Sequence, residues 1–587
     1  MSAGTVPAVI EPSAATLPTP AKRRRTSGRA GVDVSTVVVV SVVVLLLGLM
    51  IVYPLGMIFA QAFSQSGWEV VTSMFTSAVN RGIVANTLVL GTVVGALGTL
   101  LGFVLAYIQV MVDFRGKKIF HLICLLPVVS PPFAVATAII TLLGRRGIIT
   151  YGIFGAQTNI YGLPGLTLVL VLSFFPVAYM TFKGMLENLD PALEEASENL
   201  GGSKWQTFWK VIIPMLVPGF AASFLLLFVE AIADLANPLV IGGDFTVLAS
   251  RAFIAITGEY DTAAGSAYSL ILLLPAVLVF VIQQYWVSRK STISVTGKPA
   301  GQRRLLTNPS GRVPLLVFAG LVGLVIVGIY ATVLIGAFVK ILGVNNEFTL
   351  DNFRYVLSGI GNEAIIDTTV LALIATPIAG LLGMVIAWLV VRRLRHGSAW
   401  LDFLGMLGLA VPGTVVGIGY AIAFNQPLII GNRMFLPALG GGAAILGGAA
   451  AIVMVYTIRS LPSGQRAGIA ALRQIDPSID EASASLGATG VTTFRTITLP
   501  LIRPAFLSGL IYAFARSMTT LSPIIFITTP ETRIMTKQIL AEVDAGRFGN
   551  AFAFCTLLLA IVVTVMGLLS LIVRGNPAGR NSVGAAQ

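Results

Sequence analysis

The chain has 587 residues, of which 56% are apolar and 11% charged; its net charge is +13 and its mean hydropathy +0.89. A soluble globular protein carries about one quarter charged residues, so this composition excludes a water-soluble enzyme and points to an all-α, polytopic membrane protein. The basic excess lies in short clusters between apolar segments, the pattern of membrane orientation and not of nucleic-acid binding.

Residues 1–33 are polar, carry Lys22-Arg23-Arg24-Arg25 and are expected to form a disordered basic cytoplasmic tail. The apolar run from Val34 to about Ala60 is too long for a signal peptide, and no small-residue cleavage site follows it. It is expected to be a retained first transmembrane helix. Twelve segments approach the ~20 apolar residues that a spanning helix needs. They centre on Leu47, Gly98, Phe133, Leu172, Glu230 and Pro275 in residues 34–287, and on Val325, Leu381, Val415, Ala451, Arg516 and Thr564 in residues 313–573. The Gly-rich stretch around Gly440–Ala451 has the weakest signal of these. Residues 288–312, with Arg289, Lys290, Lys298, Arg303, Arg304 and Arg312, read as a basic cytoplasmic linker between two six-helix halves. Residues 574–587 read as a second cytoplasmic tail. With both termini inside, 27 Lys/Arg fall on the cytoplasmic side and 10 outside, with Arg516 in the membrane, while acidic residues are nearly balanced. The positive-inside rule predicts that asymmetry. Cys124 and Cys555 lie in apolar runs and suggest neither a disulfide framework nor a metal site. His121 and His396 sit beside basic clusters and read as solvated or headgroup-level residues.

One long pattern occurs twice. Asp190-Pro191, Glu195-Ala196-Ser197, Leu200-Gly201, Phe208, Pro214 and Pro218 recur as Asp476-Pro477, Glu481-Ala482-Ser483, Leu486-Gly487, Phe494, Pro500 and Pro504, each 286 residues later. A gapless shared offset over so many positions is a duplication. Upstream, Gly102, Ala106 and Pro131 recur as Gly383, Ala387 and Pro412 at an offset of 281. Two parallel copies with an even number of spans imply a pseudo-two-fold axis along the membrane normal. The local chemistry of the repeat predicts a helix–turn–helix. Asp190 and Asp476 suit the N-cap and the prolines the first helical position. Gly201 and Gly487 suit a left-handed stop. Ser203-x-x-Gln206 resembles a capping box, and Thr489-x-x-Thr492 is a weaker version. An acidic, rigid helix pair of this kind fits docking of a protein partner; the alternative is an amphipathic helix resting on headgroups.

The order Glu195-Ala196-Ser197, Gly201, Val211-x-Ile213-Pro214, repeated as Glu481-Ala482-Ser483, Gly487, Ile497-x-Leu499-Pro500, resembles the EAA loop of binding-protein-dependent ABC importer permeases. Both copies depart from it by Ser in place of the second Ala. The resemblance implies that Asp190, Glu195, Ala196, Gly201, Asp476, Glu481, Ala482 and Gly487 couple the chain to separate ATPase subunits, two copies in all, which bind ATP and Mg. No G-x-x-x-x-G-K-[ST] occurs, so no ATPase activity is expected of this chain, and no cofactor or metal site within it. The implied setting is the bacterial inner membrane, with an extracytoplasmic substrate-binding protein as second partner.

Glu230, Asp234 and Arg516 are expected near the middle of spans, where an unsatisfied charge costs about 2.5–3.5 kcal/mol. Glu230 and Arg516 correspond at the offset of 286 and are predicted to lie at equal depth and pair. Asp234, four residues on, shares the face of Glu230, so Arg516 could serve both. The pair reads either as a fixed tie between the halves or as a gate. Pro131, Pro132, Pro412 and Gly413 predict kinks that line a cavity, or equally a close helix contact. The run Asp234-Leu235-Ala236-Asn237-Pro238-Leu239 with Gly242-Gly243-Asp244-Phe245 resembles the ferric-iron-type branch of these permeases, which also has relatives for thiamine, phosphonates, sugar phosphates and polyamines. The outer loops around Asp244–Asp261 and Glu531–Arg547 are the expected docking surface of the binding protein. A major-facilitator carrier would share the twelve spans and the basic linker but leaves the duplicated loop unexplained.

Overall fold

A computed structural model of the chain describes residues 34–283 and 305–574, apart from 395, 443 and 477. The expected tails, most of the expected linker and Pro477 lie outside the described residues. Among the described residues ten helices are long and apolar enough to cross a membrane, or up to twelve if each of two bent helix pairs is one span.

In chain order the main helices are α1 (Thr36–Ala62), α2 (Ala78–Met111), α3 (Lys117–Val129), α4 (Pro132–Leu143), α5 (Leu163–Glu187), α6 (Pro191–Asn199), α7 (Lys204–Ala233) and α8 (Thr262–Ile282). They continue as α9 (Pro309–Ala337), α10 (Gly359–Arg393), α11 (Ser398–Ala410), α12 (Gly413–Phe424), α13 (Ala449–Gln474), α14 (Ser478–Ser485), α15 (Arg503–Thr519) and α16 (Phe548–Arg574). Two short antiparallel hairpins, Val339–Ile341 with Asn345–Phe348 and Leu428–Ile430 with Arg433–Leu436, close loops that the sequence left unassigned. The Gly-rich stretch is mostly a loop: Gly447 and Gly448 have positive φ, and the regular helix begins at Ala449.

The duplication is visible in the packing. Helices α2, α5 and α7 pack together as α10, α13 and α15 do. The closest crossings rest on the matched glycines. A Cβ on Gly102 would stand 2.7 Å from the Tyr179 amide nitrogen, and one on Gly383 would stand 2.8 Å from that of Gln465. Both obstacles are backbone, so the helices would have to separate. Gly102→Val and Gly383→Val are each expected to cost at least about 1–3 kcal/mol, read as a lower melting midpoint in detergent. Gly320→Val, whose added Cβ meets nothing, should leave that midpoint unchanged.

The first helix of each copy also reaches across to the other copy. Helix α1 packs on α12, where Tyr420 Oη donates to the Met50 carbonyl at 2.7 Å and Tyr53 meets Phe424 edge-on. Helix α9 packs on α4 and α16, and its Tyr330 hydroxyl lies 2.7 Å from Ser130 Oγ. Polar groups inside an apolar bundle need such partners. The half-buried His121 follows the same rule: its Nδ1 lies 2.8 Å from Tyr179 Oη. Both cysteines are buried and free.

Candidate functional site

The two repeated loops fold alike. In the first, Asp190 Oδ1 accepts from the Ala192 amide at 3.0 Å and Pro191 opens α6. Gly201 (φ 81°) stops the helix, and Ser203 with Gln206 closes a complete capping box ahead of α7. In the second, Asp476 Oδ1 accepts from the Ser478 amide at 2.9 Å and Gly487 has φ 82°. That amide and the Ser478 hydroxyl hold the Asp476 carboxyl below its ordinary range. Thr489 accepts from the Thr492 amide but makes only half of a capping box. An ordinary L-residue in the left-handed conformation would be strained by about 1–2 kcal/mol, which is why both turns carry Gly.

The Ser that departs from the family pattern has a structural role. Ser197 Oγ and Thr207 Oγ1 are 2.8 Å apart, and so are Ser483 Oγ and Thr493 Oγ1, at the same offset of 286. Each bond ties the first helix of the loop to the second and makes the pair one rigid unit. Glu195, Ala196, Glu481 and Ala482 lie on these first helices. The apolar tip was not assigned from sequence: Leu200 and Leu486, equivalent residues, are each 89% exposed. Leu193 and Ile479, also equivalent, are exposed beside them. The signal was present in the repeat itself, since a leucine kept before the Gly in both copies has no core to fill. In the second loop Arg392, at the end of α10, meets Asp480 at 3.3 Å and donates to the Leu472 and Ile475 carbonyls.

The second site lies within the bundle. Four chain breaks converge there: α3 to α4 at Ser130-Pro131, α11 to α12 at Val411-Pro412 with a 100° bend, α7 ending at Asp234 and α15 ending at Thr520. Between them is a cavity of about 270 Å³ lined by Ser130, Glu230, Asp234, Gly413, Arg459 and Arg516, among others. Arg516 Nη2 lies 3.6 Å from Glu230 Oε1, so the predicted cross-copy pair forms. Asp234 does not share it. The residue stands just past the end of α7 in extended conformation, so the helical i, i+4 relation is broken. Its Oδ2 accepts instead from the amide and the Nδ2 of Asn237, at 3.0 and 2.8 Å. Of the kink residues Gly413 lines the cavity; Pro131 and Pro412 are the N-caps of α4 and α12, and Pro132 is the first residue of α4.

Arg459 is the residue that sequence reasoning missed. A span centred on Ala451 puts it among the cytoplasmic basic residues, but α13 runs to Gln474 and carries it inside the bundle. Its Nη1 donates to the Gly408 and Val411 carbonyls at 3.0 and 3.1 Å, at the C-terminal end of α11, where a helix carries partial negative charge.

The outer loops are partly occupied by internal ties. Glu542 is buried; burial alone would raise its carboxyl, but bonds from Arg547, Asn550 and Tyr355 hold it below its ordinary range. Asp261 caps α8 and Glu259 pairs with Arg251. Among the described residues no group of three His, Cys, Asp or Glu could hold a metal ion.

Two matched helical sets around a polar cavity at broken helices, with a duplicated rigid loop projecting from each set, define a membrane permease. The sequence profile of the family described as the binding-protein-dependent transport system inner membrane component matches residues 98–292 and again 379–576. The chain belongs to that family, and it is the permease component of a binding-protein-dependent ABC importer. It is 34% identical over 539 residues to the ferric transport system permease protein FbpB of Actinobacillus pleuropneumoniae, covering 89% of this chain and 76% of that one. It is 25% identical over 483 residues to the Fe(3+)-transport system permease protein FbpB 2 of Haemophilus influenzae, covering 81% and 87%.

Proposed function

We propose that the chain carries ferric iron across the inner membrane, driven by two ATPase subunits that bind ATP and Mg and dock one on each repeated loop. The observation that carries the docking is the identical presentation of Leu200 and Leu486 at the tips of two Ser–Thr-braced helix pairs. An 89%-exposed leucine on a rigid polar element is an apolar anchor awaiting a pocket. The acidic surroundings, Glu194, Glu195 and Glu198 in the first copy, suit a partner cleft with basic walls. The names of the relatives support ferric iron as cargo. In this reading Asp190, Glu195, Ala196, Gly201, Asp476, Glu481, Ala482 and Gly487 shape the coupling surfaces, and both termini lie in the cytoplasm. The binding protein docks on the opposite end, on what Asp244–Asp261 and Glu531–Arg547 leave free. Residues 34–287 and 313–573 act as the two moving halves, and the cavity between α7 and α15 is part of the route.

The test is uptake of radiolabelled iron into proteoliposomes that hold this chain with its ATPase, supplied with iron-loaded binding protein. Uptake should require ATP on the side of the repeated loops. Iron uptake by this chain without any ATPase would overturn the coupling. ATP-driven uptake of another solute, with none of iron, would overturn the cargo.

A further inference from the structure

The cavity is built with the wrong chemistry for a bare trivalent cation. Glu230 already gives Oε1 to Arg516 and Asp234 gives Oδ2 to Asn237, so the two carboxylates on the cavity wall have only part of their oxygens left for a metal ion. A hard ferric ion requires several such oxygen ligands at once. The second arginine tips the balance further. Arg516 is matched to Glu230 by the duplication, but the residue equivalent to Arg459 is Ser173, which offers no charge. Arg459 forms no salt bridge among the described residues; its contacts are backbone carbonyls, which orient the guanidinium without neutralising it, and its Nε has no hydrogen-bond partner. Tyr512, half-exposed, adds a hydroxyl to the same wall. Arg516 keeps Glu230 as its acid partner, but Arg459 brings a second guanidinium to the cavity with no carboxylate bonded to it among the described residues, and planar guanidinium forks suit phosphate or carboxylate oxygens.

We infer that cargo crosses this cavity as an oxyanion, its phosphate or carboxylate oxygens received by Arg459 and Arg516. Resting on the proposed cargo, this means that ferric ion passes together with an oxyanion ligand, as a complex of zero or negative net charge. The same chemistry would accept a phosphorylated organic solute, and the experiment separates the two sources.

In proteoliposomes holding the complete importer, iron is presented on its binding protein with radiolabelled citrate or radiolabelled phosphate, and a potential-sensitive dye reports the charge moved. The labelled anion should enter with the iron, and the interior should not become positive. Arg459→Gln should lower uptake by about tenfold or more, and Arg459→Lys, which keeps the charge, should restore part of it. Iron entering without either labelled anion while the interior turns positive overturns the inference, and so does wild-type uptake by Arg459→Gln. Entry of a radiolabelled hexose phosphate, with none of iron, removes iron as the cargo and leaves the oxyanion site standing. Uptake of none of these probes by the wild-type importer counts against both. The sign of the potential is read on the unaltered protein, so a variant that fails to fold does not block the test.

Discussion

The permease with Leu200→Asp and Leu486→Asp together should lose its ATPase subunits while folding normally. Burying one leucine side chain contributes about 1.5–3 kcal/mol, and each 1.4 kcal/mol is about tenfold in affinity. A single substitution should therefore weaken docking by about ten- to a hundredfold, and the pair should abolish co-purification. Because both side chains are almost fully exposed, the melting midpoint of the isolated permease should not move. That separation distinguishes a docking residue from a folding residue. Retention of a full complement of ATPase by the double variant would sink the docking reading. Removing the brace instead, with Ser197→Ala and Ser483→Ala, keeps the apolar tips and loosens their support. It should leave the ATPase bound but slow transport per ATP hydrolysed.

Neutralising Glu230 should destabilise the bundle more than neutralising Arg516, and neutralising either should impair transport. Glu230→Gln leaves Arg516 and Arg459 facing one cavity with no free counter-charge, whereas Arg516→Gln leaves Glu230 with Arg459 still on the cavity wall. Breaking a fully dry ion pair costs about 3–5 kcal/mol. Both side chains here keep about a quarter of their exposure, toward the cavity, so a loss of about 1–3 kcal/mol in stability is expected after screening. Transport should fall by at least about tenfold in Glu230→Gln. The exchanged protein, with Glu230→Arg and Arg516→Glu, separates tie from gate. Recovery of both melting midpoint and transport fits a fixed tie. Recovery of the midpoint alone fits a gate whose polarity matters to the cargo. Equal, wild-type transport by both single variants would remove any role for the pair.

Much of this was legible because duplication prints itself on the sequence. The offset of 286 residues alone paired Glu230 with Arg516, and the pairing holds at 3.6 Å. Asp190, Gly201, Ser203 and Gln206 were readable because caps and turns are local: the side chain that closes the bond is within a few residues of the group it satisfies. Asp234 was misassigned for the converse reason. Helical spacing put it on the face of Glu230, but α7 ends one residue earlier, and the end of a helix depends on what packs beyond it.

Composition, the period of the apolar segments and the repeat determined that this is a polytopic, all-helical permease with a duplicated loop, since each of those signals follows from burying apolar surface and from local backbone chemistry. Only the tertiary structure decided that α1 and α9 each reach across to the other copy, that Arg459 faces the cavity, and that Ser197 and Ser483 brace the loops. Those outcomes depend on contacts between residues far apart in the chain. Such contacts leave no periodic or local mark on the sequence.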